Sequence, residues 1–117
     1  MKSLIISTVE AYLESLHERG YKNNTVMQYR IDLMKAAEFL KKYRQVKEIM
    51  PHQIERFLQS DALLLGRRGE RLAPRTVQRT LRVLRQYLIW LQDNKWRRVE
   101  YLLDVLERAG TSGFGDE

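Results

Sequence analysis

The sequence predicts an all-α bundle of four helices with a fifth at the C-terminal end, and three observations carry that prediction. The composition is 44% hydrophobic and 31% charged with only two prolines, which suits a globular helical chain. Apolar residues recur at the i, i+3, i+4, i+7 spacing that places them on one side of a helix. At 117 residues the chain is long enough for one ordinary core and too short for two lobes around a cleft.

Ser7 with Glu10 three positions later reads as a capping box, and Val9, Tyr12, Leu13 and Leu16 follow on one face until Gly20. The first helix is therefore expected over residues 8–19. Lys22-Asn23-Asn24-Thr25 supplies an N-cap for a second helix running to about Tyr43. Its core face holds Val26, Tyr29, Leu33, Ala36, Ala37 and Leu40, and Asn24, Gln28, Ile31 and Lys35 lie opposite. Pro51 opens a third helix that buries Ile54, Phe57 and Leu58, with Leu63 to Leu65 ending it or packing the next turn, while Met50 is a poor N-cap. Residues 66–71, Gly-Arg-Arg-Gly-Glu-Arg, are expected as a mobile exposed loop.

Pro74 opens the fourth helix, in which Val77, Leu81, Leu84, Leu88 and Leu91 form the core stripe and Tyr87 and Trp90 widen it. Arg75, Arg79, Arg82 and Gln86 point the other way. A fifth helix is expected with Trp96, Val99, Leu102, Leu103 and Leu106 on one side, stopping at Gly110. Its short connection at residues 93–95 favours folding back on its own bundle over docking on another protomer. Residues 1–110 are thus one domain, and 111–117 read as a flexible tail or linker.

The net charge of +6 is localised. Residues 66–86 hold seven arginines against the single Glu70, and the remaining basic and acidic residues balance. On the fourth helix the arginines repel one another with no acidic residue nearby, at a cost of a few tenths of a kcal/mol per pair, about what an i, i+4 pair is worth. Such a face points to an anionic partner, and phosphate suits it because a guanidinium fork meets phosphate with two hydrogen bonds. A row of forks matches a nucleic-acid backbone, DNA or RNA.

Other chemistry is poorly represented. There is no cysteine, so no disulfide frame and no thiolate metal site, which fits a reducing cytoplasm. No apolar run approaches the length of a membrane span. His17 and His52 are isolated and read as surface residues, Trp90 and Trp96 as core, and no nucleophile stands at a defensible spacing from a base. No metal or cofactor is implied.

Two segments resemble the N-terminal core-binding, SAM-like domain of tyrosine recombinases, also called phage integrases. One is TVEAYLESLHERGYKNNTVMQYRIDLMKAAEFL, with its polar turn, Asn-Thr and Tyr-x-x-Asp-Leu. The other is LAPRTVQRTLRVLRQYLIWL, with its Arg-Thr start, Leu-Arg pair and aromatic-x-x-Leu ending. The resemblance covers roughly residues 8–95 and implies a four-helix SAM-like bundle plus a fifth helix. It also implies double-stranded DNA as partner, clamped by the second and fourth helices at the major groove. It places DNA-facing positions on Asn24, Thr25, Met27 and Gln28 and on Arg75, Thr76, Arg79 and Arg82. The residues themselves add Lys35, Arg67, Arg68, Arg71 and Gln86 as candidates.

Arg85 flanks the core stripe, where pairing with Asp32 competes with a phosphate contact. Met50 and Ala73 depart from capping Thr or Ser, and Met27 is apolar where a polar base reader is expected. The family's catalytic Arg, His-x-x-Arg and Tyr domain is not found, since neither histidine has an arginine three residues on. The expectation is a non-enzymatic DNA-binding half of a recombinase, monomeric when free, with other protomers as further partners through the fifth helix. A helical module docking an acidic protein, or an RNA binder, are the rival readings.

Overall fold

A computed structural model describes residues 3–108, and among these six α-helices and one short 3-10 turn make an all-α bundle. The helices are α1 (Ile5–Glu18), α2 (Asn23–Phe39), α3 (Pro51–Leu58), α4 (Asp61–Leu64), α5 (Pro74–Asp93) and α6 (Glu100–Arg108). The expected stop at Gly110 and the tail 111–117 lie outside the described residues.

The start of α1 corrects the expected capping box. Ser7 lies inside the helix, and Leu4 is an N-cap without a side-chain hydrogen bond. The first free N–H groups find backbone carbonyls instead: Ile5 N–H donates to Arg44 (2.8 Å) and Ile6 N–H to Lys42 (2.9 Å). A distant segment thus satisfies the donors that a local Ser was expected to satisfy. At the other end Gly20, at φ +87°, lets Tyr21 N–H return to the Leu16 carbonyl and close the helix.

The same segment shortens α2. The helix ends at Phe39 rather than near Tyr43, because Lys41 turns left-handed at φ 71° and sends residues 42–46 back along the N-terminus. Its N-cap is Lys22, in extended conformation, and Asn24 and Thr25 sit within the first turn instead of capping it. Met50 caps α3 without help from its own side chain, but Gln53 Oε1 accepts the Met50 N–H at 2.8 Å. Leu63 belongs to a separate short helix, α4, whose N-cap Ser60 accepts from Leu63 N–H.

Residues 67–71 are exposed as expected, and the segment carries hydrogen bonds of its own. Leu65 and Arg71 form an antiparallel bridge, Gly66 N–H donates to the Glu70 carbonyl (2.8 Å), and Gly69 turns at φ +79°. The Glu70 carboxylate folds back to accept Arg68 N–H at 2.9 Å.

α1, α2 and α5 pack together around Leu13, Leu16, Leu33, Leu84 and Leu88, all buried. α6 packs on α3 and α5, burying Val99, Leu102 and Leu106 against a core that includes Ile54, Phe57 and Leu91. The fifth expected helix therefore folds back on its own bundle. Its approach is fixed by Arg97, whose guanidinium donates to the carbonyls of Val46 (3.0 Å) and Ile49 (2.7 Å). Trp96 is not part of that apolar side. Lys95 turns left-handed (φ 62°) and Trp96 N–H closes α5 on the Leu91 carbonyl, leaving the indole 41% exposed ahead of α6.

Candidate nucleic-acid interface

α5 supplies the cationic face because its apolar residues claim the other side. Leu81, Leu84, Leu88 and Leu91 are buried, while Arg75, Arg82 and Gln86 are exposed. Among the described residues Arg75 and Arg82 make no ion pair. Arg79, on the same face, is different. Its Nε lies 3.1 Å and its Nη2 3.3 Å from the two carboxylate oxygens of Asp32, a residue with no exposed side-chain surface.

Thr80 Oγ1 donates a third bond to Asp32 Oδ1 at 2.9 Å. Asp32 is thus the buried polar link between α2 and α5, and its partner is Arg79, not Arg85 as the sequence left open. Arg85 leaves the face altogether: its Nη2 is 3.8 Å from Glu107 on α6, and its Nε is buried without an acceptor. The i, i+3 spacing alone does not separate these roles, since only the angle at which α2 crosses α5 decides which guanidinium reaches Asp32.

α2 borders this face. Tyr29 hydroxyl donates to Gln86 Oε1 at 3.2 Å, joining the two helices at the surface. Burial pushes that hydroxyl above the usual tyrosine range, while the nearby Arg82 charge acts the other way, so it remains a donor at neutral pH. The sequence reading placed Tyr29 in the core and missed this contact; its place beside Gln86 depends on α2 and α5 packing, which no local signal gives.

Asn24 and Met27 are exposed, and Thr25, Gln28 and Lys35 are half-buried. Toward the C-terminal half of α2, Ile31 and Lys35 line one open groove with Arg67 and Arg68 of the 66–70 turn. The Glu70 carboxylate packs over Gly66 in this turn and would have to swing away from any larger side chain there. The structure thus brings Lys35, Arg67 and Arg68 together on one side and Arg75, Arg79, Arg82 and Gln86 along the next helix. Arg71 is set apart, lining a separate hollow with Pro74 and Gln78. Thr76 is half-buried, its carbonyl accepting from Thr80 Oγ1.

Trp90 is half-buried, its ring centroid 5.4 Å from that of Tyr12, which fits packing rather than base stacking. His17 and His52 are exposed, and among the described residues no three His, Asp or Glu come together as a metal cluster. No helix among them is long and apolar enough to cross a membrane.

The family model described as phage integrase, N-terminal SAM-like domain, matches residues 9–95. That span runs from the first turns of α1 to the end of α5 and leaves out α6. No curated protein and no solved structure matches the chain.

Proposed function

Because the chain belongs to the N-terminal SAM-like domain family of phage integrases, we propose that it binds double-stranded DNA as the core-binding half of a tyrosine recombinase. Its part is to hold and position the recombination site. The observation that carries this reading is the unpaired state of the cations. Arg75 and Arg82 on α5, with Lys35, Arg67 and Arg68 beside α2, make no ion pair among the described residues. Of the nearby carboxylates, Asp32 is held by Arg79, Glu70 by a backbone N–H and Glu38 by Lys42, while Asp61 lines the groove of Lys35, Arg67 and Arg68 without pairing with any of them. Phosphates satisfy guanidinium forks that no protein carboxylate does.

No histidine of the sequence has an arginine three positions on, which supports a positioning role over strand cleavage. The apolar face of α6 is consumed within its own bundle, which favours a monomer free in solution over pairing through that face.

Titrating salt against binding to a 30-base-pair duplex tests the proposal. With about five phosphates neutralised, the log–log slope of affinity against salt should be roughly −4 to −5. A flat response overturns the phosphate reading. Tighter binding to an acidic peptide, or to single-stranded RNA of equal length, would assign the face to a different partner.

A further inference from the structure

α2 places two large apolar side chains on the surface that the cations border. Met27 is 59% and Ile31 47% exposed, one helical turn apart, so they form a short ridge. On the polar side of that ridge stand Asn24 and Gln28, also one turn apart. Ile31 lies in the same open groove as Lys35, Arg67 and Arg68, which Glu38, Asp61 and Glu70 also line. Isolated apolar residues on a surface need no explanation, but an apolar pair set between amide side chains and unpaired cations does. About half of each side chain still faces water, and lysine or glutamate would serve an idle helix surface better.

We propose that Met27 and Ile31 read the C5-methyl groups of thymine in the major groove, so that α2 prefers A·T-containing sequence. This rests on the duplex-binding reading above. In the major groove the thymine methyl is the one apolar feature a base pair presents, and adenine offers the N6/N7 donor and acceptor pair that an Asn or Gln amide matches with two bonds. The ridge fits the methyl and its amide neighbours fit the paired adenine. Lys35, Arg67 and Arg68 are positioned to hold the flanking phosphates, which would set the register of α2 in the groove.

Replacing thymine by deoxyuridine removes the methyl and leaves every hydrogen-bonding group of the base pair unchanged. The full chain is titrated by fluorescence anisotropy onto a 20-base-pair alternating dA·dT duplex and onto its deoxyuridine counterpart. The expected result is binding weaker by about fourfold per contacted methyl on the deoxyuridine duplex, the factor that burying one apolar carbon is worth. The Met27→Ala/Ile31→Ala double variant should bind both duplexes equally and keep the wild-type salt slope. It should also keep the wild-type melting temperature, since both positions are exposed and alanine favours helix. Equal wild-type affinity for the two duplexes overturns this inference alone, as does a double variant that still discriminates between them. Failure to bind either duplex overturns the duplex-binding reading as well.

Discussion

Arg79 and Arg82 stand one turn apart on the same face of α5, and the Asp32 carboxylate gives them different consequences when removed. Arg79→Ala takes two donors from a buried carboxylate and leaves it with Thr80 alone. The expected cost is about 1–3 kcal/mol, the range for a buried acceptor that loses its partner. Arg82→Ala should stay within about 0.5 kcal/mol of the wild type. In chemical denaturation the first variant should shift its midpoint and the second should not, while both weaken duplex binding. Equal midpoints would mean that the Asp32 contact contributes nothing to folding. From sequence Arg75, Arg79 and Arg82 look alike, because periodicity reports which way a side chain leaves its own helix. It does not report what the neighbouring helix places there, and so Arg79 reads as free and Arg85 as a candidate partner of Asp32.

Each helix of the bundle is legible in sequence to the extent that its ends are made locally. α5 begins at Pro74 and follows its apolar stripe, and Gly20 ends α1, as the residues themselves dictate. The start of α1 and the end of α2 are not legible, since both are set by hydrogen bonds between residues about forty positions apart. α6 depends on a similar long-range contact. Arg97→Ala removes the donor held by the Val46 and Ile49 carbonyls and should lower the melting temperature, whereas Arg98→Ala, at a solvent-exposed side chain, should not. The two carbonyls accept from one side chain, so the expected loss is about 1–3 kcal/mol. If both variants melt together with the wild type, the fastening of α6 lies in its apolar face alone. In neither variant should the salt slope of duplex binding change, since α6 adds nothing to the α2 and α5 face.

The bundle as a whole carries a pH limit on its alkaline side. Burial pushes the Tyr12 hydroxyl up to about 12 from the usual 10.0, and raises Tyr87 too, although Thr8 hydrogen-bonds it at 2.6 Å. Both groups are neutral acids whose folded value lies above the unfolded one. The stability they contribute is therefore complete below pH 10.0 and is lost as the pH rises from there through the folded values. Melting temperatures should hold steady from pH 8 to 10 and then fall steeply. Tyr87→Phe should flatten that fall while costing about 1 kcal/mol at pH 8 through the lost hydrogen bond. An equally steep fall in Tyr87→Phe and Tyr12→Phe would assign the alkaline transition to other groups.

The buried Asp32 has a consequence for how such a molecule changes over generations. It divides the α2 and α5 surface into residues that evolution is free to exchange and one that it is not. Met27, Ile31, Arg75 and Arg82 make no side-chain hydrogen bond or ion pair among the described residues, so on the proposed DNA-binding reading a lineage could rewrite them and acquire a new target sequence with its scaffold intact. Arg79 is expected to be retained with the fold, because changing it alone leaves a buried carboxylate with Thr80 as its one side-chain donor. A recombination system diversifying its sites would therefore show variation around a fixed Asp-Arg-Thr trio, the hinge on which retargeting turns without the bundle having to be reinvented.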